Sequence, residues 1–420
     1  MTTPLGSRTI LTSRRFHLAS TFVVAAVVPF LLRLPAAPIG HAPAMINALV
    51  ANTLAVIIAF WIRLSIDVYP GIRRSYAIVP TVLAGHGIVF AGLIATRLPY
   101  GRMSLILGGL FHIGWLYLLY IAIERKSRRH IAVVPAGGVD VLRDVTNVEW
   151  LWLKRPRLSD TRGCNAIVAD FSADLPAEWE TFLAEAAIAG RIVYQHKQLI
   201  ESLTGRIQLD HLSENTFGSL IPSRSYFYVK SLLDFIFALL VLPFVLPIML
   251  LIAAKLRFGE GGPVLFRQKR VGQGGREFTV YKFRTMAPCK ISNPVVAAIT
   301  IPNDSRITPT GRFLRKYRLD ELPQIINILR WEMSWIGPRP EAKSLSSWYK
   351  DEIPFYVYRH VVKPGITGWA QVNQGHVANI DDVYEKLQYD FYYIKNFSPW
   401  LDLLILLRTI KTMATGFGHR

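Results

Sequence analysis

The feature that most constrains this chain is a set of long apolar runs in its first third. Phe16 to Leu32 contains no Asp, Glu, Lys or Arg, and Met45 to Ile62, Tyr76 to Thr96 and Met103 to Ile123 are equally free of them. Each approaches the roughly 20 residues that cross a hydrocarbon core of about 30 Å. Four transmembrane helices are therefore expected. For the first run a cleavable signal peptide is the alternative, since Ala42-Pro43-Ala44 resembles a cleavage site. The length of that run and the similar runs behind it weigh against cleavage.

Short flanking loops give the orientation. Arg8, Arg14 and Arg15 precede the first run, Arg63, Arg73 and Arg74 follow the second, and Arg125, Lys126, Arg128 and Arg129 follow the fourth. Basic residues gather on the cytoplasmic side, so both ends of the bundle are expected there. Arg97 and Arg102 lie on the opposite side and are fewer. His86 and His112, within the third and fourth runs, have no acidic partner in the spans and are expected to bond between helices.

The formal net charge of +19, from 48 Lys+Arg against 29 Asp+Glu, suits nucleic acid, anionic lipid or a phosphorylated substrate. A 51% hydrophobic composition with such runs excludes nucleic acid as the partner. The two cysteines, Cys164 and Cys289, lie in no metal-ligand or redox spacing, so neither a zinc site nor a disulfide framework is indicated.

From Ile131 to about Tyr228 the composition turns soluble. Ile131 to Val134, Ala166 to Ala169 and Arg191 to Tyr194 are expected as strands and Ala177 to Ala189 as a helix, which makes a small α/β domain. Ala136-Gly137-Gly138 follows the first strand, but without the full G-x-G-x-x-G pattern a degenerate scaffold is favoured over a cofactor site.

A further apolar run, Leu232 to Ala254, carries Asp234 near its start and Pro243 and Pro247 in its middle. Proline removes a helix hydrogen bond and crowds the preceding turn, so a sharp break is expected. Lys230 before the run, and Lys255 and Arg257 after it, place both ends in the cytoplasm. A re-entrant helix-break-helix satisfies both observations; a kinked fifth span is the alternative. Beyond it, Pro263 to Lys269 and Phe278 to Phe283 are expected as a hairpin around Gly272-Gln273-Gly274-Gly275, with a basic rim of Arg267, Lys269, Arg270, Lys282 and Arg284. That rim suits anionic lipid or phosphate. Ala287 to Pro302 shows no period and is expected as a loop. Trp400 to Met413 is amphipathic, open to either a membrane surface or the core.

The chemistry centres on Arg318-Leu319-Asp320-Glu321-Leu322-Pro323-Gln324. Glu321 to Arg330 is expected as a helix with Asp320 at its N-cap, where free N–H groups favour negative charge. An Asp before a helix is usually only a cap. Here Asp304-Ser305-Arg306, Arg312, Arg315, Lys316, Arg318 and Gly337-Pro338-Arg339-Pro340 bring many guanidinium groups toward two carboxylates. Arginine matches phosphate oxygens with paired donors. Phosphoryl transfer needs a nucleophile, cations and rigid positioning. An acidic pair, arginines and Mg2+ supply the first two, and the Pro-Arg-Pro turn the third.

Lys230 to Asp234 with Pro247, Lys282-Phe283-Arg284-Thr285-Met286, Asp304-Ser305-Arg306-Ile307-Thr308, Arg315 to Gln324, Gly337-Pro338-Arg339-Pro340 and Lys363-Pro364-Gly365-Ile366-Thr367-Gly368-Trp369 occur in order over about residues 226 to 415. This series resembles the bacterial sugar transferases, the monotopic polyprenol phosphate phosphoglycosyl transferases. With its N-terminal spans and α/β domain, the chain looks like the long-form members, which prime exopolysaccharide, capsule or O-antigen synthesis.

The resemblance implies a membrane protein of mixed α and α/β class: a four-helix transmembrane region at 1–125, a degenerate Rossmann-like cytoplasmic domain at 126–225, and a catalytic domain at 226–420 with a re-entrant helix at about 231–255. It implies residence in the bacterial inner membrane with the catalytic domain on the cytoplasmic face, and leaves a homodimer open. Asp320 would attack the β-phosphorus of a UDP-sugar, releasing UMP, and undecaprenyl phosphate would then accept the phosphosugar. Glucose or galactose is the expected sugar. Glu321, with Asp320, would hold Mg2+. Lys282, Arg284, Arg306, Arg315, Gln324 and Arg339 would contact nucleotide or lipid phosphates, and Pro247 would break the re-entrant helix. Three positions depart from the family pattern: Trp331 stands where Gly is usual, His376 where Arg is common, and Arg318 where Ser or Thr is frequent. A catalytically silent membrane scaffold for polysaccharide assembly is the alternative, disfavoured by the intact carboxylate pair.

Overall fold

The computed structural model describes residues 13–36, 42–66, 74–124, 130–145, 148–164, 166–208, 222–259, 261–287, 304–374 and 380–415. His376, Cys289, Arg8, Arg73, the basic cluster at 125–129 and the expected loop beyond Ala287 fall outside these residues. The chain divides into two compact units, Met1–Gly205 and Arg206–Arg420.

In the first unit the apolar runs form α1 (Arg14–Arg33), α2 (Ala42–Ile66), α3 (Arg74–Thr96) and α4 (Arg102–Leu119). Small residues let their backbones approach. Ala48, Ala51, Ala55 and Ala59 are buried along α2, and a Cβ on Gly85 would stand 2.7 Å from the Ala55 carbonyl. Outward, Leu31, Leu32, Trp61, Leu83, Ile106 and Leu110 are more than half exposed, as lipid-facing residues must be. His86 Nδ1 donates to the Val82 carbonyl of its own helix at 3.0 Å, and its ring lies 5.5 Å from that of His112. The contact between the two helices is thus ring to ring rather than the expected hydrogen bond.

Four parallel strands follow: β1 (His130–Val133), β2 (Glu149–Trp152), β3 (Ala166–Ala169) and β4 (Val193–Gln195), in the order β2-β1-β3-β4. Helices α5 (Ala177–Ile188) and α6 (His196–Thr204) accompany them. Along β1, Ile131 and Val133 face one buried cluster and Ala132 and the following Val134 the other, the period of two that a sheet covered on both faces requires. At the carboxyl ends of β1 and β3 the Asp170 carboxylate accepts from Gly138 N at 2.9 Å and Ser172 N at 3.0 Å. A Cβ on Gly137 would meet that same carboxylate at 2.6 Å. The glycine pair therefore accommodates an acid of the chain itself.

The second unit opens with α7 (Arg224–Gly259), which continues as a helix through Pro243 and Pro247. The expected break is not a loss of helical backbone. The prolines lie four residues apart, so the hydrogen bonds they forgo fall on one face, which a helix can bend around. Among the described residues five helices are long and apolar enough to cross a membrane, and α7 is the least buried of them. Its residues pack on the unit at several levels. Lys230 pairs with Asp402 at 2.8 Å, Ser334 Oγ donates to Asp234 at 2.5 Å, Ala238 packs with Val280, Ile325 and Ile328, and Leu256 packs with Phe283 and Leu314.

Strands β5 (Leu265–Val271) and β6 (Glu277–Phe283) pair antiparallel as expected. Then come α8 (Pro309–Lys316), a 3-10 turn at Leu319–Gln324 and the short α9 (Ile325–Leu329). Next, β7 (Ser334–Ile336), α10 (Lys343–Glu352), β8 (Gly365–Thr367) and α11 (Trp369–Asn373) lead to α12 (Ile380–Lys395) and α13 (Pro399–Thr415). β7 and β8 are parallel and very close: a Cβ on Gly365 would lie 2.1 Å from Gly337 N, and one on Gly337 2.4 Å from the Lys363 carbonyl. In α13, Leu401, Leu404 and Ile405 are buried while Leu406 and Ile410 are exposed, so one face of this amphipathic helix belongs to the core.

Candidate active site

The acidic pair occupies a 3-10 turn, not the start of an α-helix. Arg318 adopts a left-handed backbone (φ 54°), which reverses the chain after α8 and turns Asp320 and Glu321 inward. Asp320 is therefore inside the turn, and Arg318 takes the N-cap position expected for it. Both carboxylates are nearly buried, at 8% and 6% exposure. Asn327 fixes the turn to the hairpin: its side chain donates to the Thr279 carbonyl at 2.7 Å and accepts from Tyr281 N at 3.3 Å.

Cations converge on Glu321. Lys282, carried by β6, donates to Oε1 at 3.0 Å, and Arg339 Nη2 donates to the same oxygen at 2.6 Å. Oε2 is buried with no hydrogen-bond partner among the described residues, Arg318 Nη1 standing 3.9 Å away. The Asp320 carboxylate makes no hydrogen bond or ion pair among the described residues, although Lys282, Arg339 and Arg315 act on it through space. Burial, and then the adjacent Glu321 charge, push the Asp320 carboxyl above the usual aspartate range. Burial works on Glu321 in the same sense but is outweighed by Arg339, Lys282 and Arg318, which hold it well below the usual range. Burial draws the Lys282 ammonium down to about 8, against the opposing pull of Glu321. One acid is thus engaged and ionised, and its neighbour is free and unusually basic.

Of the other residues expected here, Arg315 donates to Thr285 Oγ1 at 2.9 Å beside the pair, and Gln324 is buried one turn beyond Asp320. Arg306 is instead locked on Asp304, its Nε 2.8 Å from Oδ1 and its Nη2 2.5 Å from Oδ2. Arg284 donates to the Gly261 carbonyl just beyond α7. Nor is the basic rim of the hairpin a uniform surface patch, because Arg270 and Lys282 turn inward. Trp331, with φ 63°, occupies a left-handed turn that explains why glycine suits this position. Its ring stacks on Phe235 at 5.3 Å and carries Lys363 Nζ at 4.8 Å. Asn327, Glu341, Arg359 and Asp390 were not legible as parts of the site, being scattered in sequence, whereas Arg270 stood in the expected basic rim.

Such a pair, one free acid and one acid neutralised by cations, suits attack on a phosphorus centre. The family model of bacterial sugar transferases matches residues 225–416. The chain is 44% identical over 353 residues, 84% of its length and 83% of the relative's, to an Aeromonas hydrophila UDP-N-acetylgalactosamine-undecaprenyl-phosphate N-acetylgalactosaminephosphotransferase. It is 46% identical over 188 residues, 44% of this chain and 39% of the relative, to a UDP-glucose:undecaprenyl-phosphate glucose-1-phosphate transferase of Xanthomonas campestris pv. campestris. A Salmonella typhimurium undecaprenyl-phosphate galactose phosphotransferase is 33% identical over 211 residues, 47% of this chain and 43% of that one. A motif series that ends at an engaged and a free carboxylate, joined to a match along most of both chains, leads to one conclusion: the protein belongs to the bacterial sugar transferase family.

Proposed function

We propose that the protein transfers a sugar 1-phosphate from a UDP-sugar to undecaprenyl phosphate, releasing UMP, as the initiating step of exopolysaccharide, capsule or O-antigen synthesis. The observation that carries this reading is the free, buried Asp320 carboxylate beside a Glu321 already held by Lys282 and Arg339. An Asp320 oxygen attacks the β-phosphorus of the donor, and the bond from that phosphorus to the bridging oxygen breaks, so UMP leaves with both electrons. The lipid phosphate then attacks the same phosphorus and returns the carboxylate to Asp320. Lys282, Arg315 and Arg339 neutralise charge on the phosphate oxygens as it develops.

The donor set fits Mg2+, which is held by one or two carboxylates and otherwise by phosphate and water. Glu321 Oε2, buried without a hydrogen bond among the described residues, and Asp320 would hold the ion, which would supply positive charge against the diphosphate. Packing of α7 on one body from Lys230 to Leu256 supports the re-entrant reading, since a straight spanning helix of this length would carry one end roughly 40 Å from the other. Both ends would then lie on the cytoplasmic face of the inner membrane. The relatives' named sugars put N-acetylgalactosamine beside glucose and galactose as donor candidates.

UMP release from UDP-glucose, UDP-galactose and UDP-N-acetylgalactosamine, each with undecaprenyl phosphate, tests the function. The expected result is release with one of them, abolished by Asp320→Asn. Undiminished release by that variant would overturn the assignment of Asp320.

A further inference from the structure

The loop that presents Arg339 has few backbone handles. It reads Gly337-Pro338-Arg339-Pro340, and its two prolines have no N–H to donate, so carbonyls must anchor it. Two consecutive carbonyls are each held by a guanidinium from elsewhere. Arg270 Nη1 donates to the Pro340 carbonyl, and Arg359 Nη2 donates to the Arg339 carbonyl at 2.9 Å.

Arg359 is itself clamped. It is 3% exposed, and its Nη2 and Nε donate to Asp390 Oδ2 at 2.7 and 3.1 Å. Nη1 donates to the Tyr356 hydroxyl at 3.1 Å and stands 3.7 Å from Glu341 Oε1. Buried ion pairs are a costly way to fill a core, and apolar side chains of similar volume are often as stable or more so. What a guanidinium does that an apolar group cannot is hold an acid and a carbonyl at once in a fixed fork.

We propose that Arg359 is a positioning residue for sugar-phosphate transfer: by holding the Arg339 carbonyl it sets the Arg339 guanidinium on the Glu321 carboxylate. This rests on the transferase reading above. Lysine at 359 keeps the charge and loses the fork, so Arg339 is released from behind while the core stays charged.

The test uses the full chain in detergent, as wild type, Arg359→Lys, Arg339→Lys and the double variant, with kcat and KM for UMP release and melting temperatures measured. Arg359→Lys is expected to lower kcat by up to about 100-fold, the scale of a small misplacement at a reacting centre. KM for the UDP-sugar should stay within about threefold, the loss falling on interactions made in the transition state. In the Arg339→Lys background the same substitution should add little, since the two residues act as one unit. Tyr356→Phe, which removes a single acceptor from Arg359, should lower kcat in the same way by less. Equal losses in both backgrounds, or a rise in KM that accounts for the whole loss, would overturn the positioning role. Coupling of the two substitutions in melting temperature needs no turnover, so it tests Arg359 even where wild type releases no UMP; additive melting shifts would count against the proposal.

Discussion

Arg339 Nη2 reaches Glu321 Oε1 at 2.6 Å across 18 residues of sequence, and Lys282 reaches the same oxygen from the hairpin at 3.0 Å. Charge-assisted contacts of this kind are roughly twice as strong as neutral ones and have a defined direction. Replacing Arg339 by Lys keeps the charge and loses the directed donor. A fall in kcat/KM of roughly 100-fold is expected, the scale of one lost electrostatic donor. Full activity in Arg339→Lys would show that a point charge is enough.

Lys282 is expected to set the alkaline side of the pH profile. Burial draws its ammonium down to about 8, so its charge is present below that pH and lost as pH rises through it. UMP release should decline above about pH 8, and Lys282→Arg, which stays protonated, should carry activity further into alkali. An alkaline limb unmoved by that substitution would assign the titration to another group.

On the acid side the controlling group is expected to be Asp320, raised by burial and by the charge of Glu321. Activity should be lost as pH falls through its raised value. Glu321→Gln removes the neighbouring negative charge, so Asp320 ionises more easily and the acid limb should move to lower pH, even as the rate falls. An upward shift would contradict the placement of Asp320 beside Glu321.

Chelation should stop turnover, and added Mg2+ should restore it. Because Glu321 Oε2 is buried without a hydrogen bond among the described residues, Glu321→Gln should raise the Mg2+ concentration needed for half-maximal rate by at least about tenfold. Turnover that persists in excess chelator would exclude the ion.

Trp331 offers a stability test. A left-handed backbone costs a non-glycine residue roughly 1–2 kcal/mol, here offset by stacking on Phe235 and by Lys363 over the ring. Trp331→Ala loses the ring and keeps the strain, whereas Trp331→Gly loses both. The glycine variant should therefore be the more stable of the two, by roughly 1 kcal/mol. Thermal denaturation decides it; an alanine variant at least as stable would mean that the turn is not strained.

Much of this arrangement was legible in the sequence because it is local. Hydropathy alone located the apolar helices, and the contiguous Asp320-Glu321 pair stood out among arginines. The N-cap expected for Asp320 failed for a reason propensity does not carry: Arg318 takes a left-handed backbone that only the packing of α8 against the turn requires. Arg284 shares a motif with Lys282, and Arg306 stands in the motif before Arg315, yet Arg284 donates to a backbone carbonyl and Arg306 to Asp304. Arg359 and Asp390 meet across 31 residues with no periodic signal to announce the contact.

The close pairing of β7 and β8 changes what two of the motifs are. Gly337-Pro338-Arg339-Pro340 and Lys363-Pro364-Gly365-Ile366-Thr367-Gly368-Trp369 look like separate signatures in the linear text, but their glycine backbones meet where neither admits a side chain. They form one seam read twice. Redesign of the phosphate loop is therefore not a local edit: grafting a loop from another member of the family requires transplanting both strips together, as one would move a zip only with both rows of teeth.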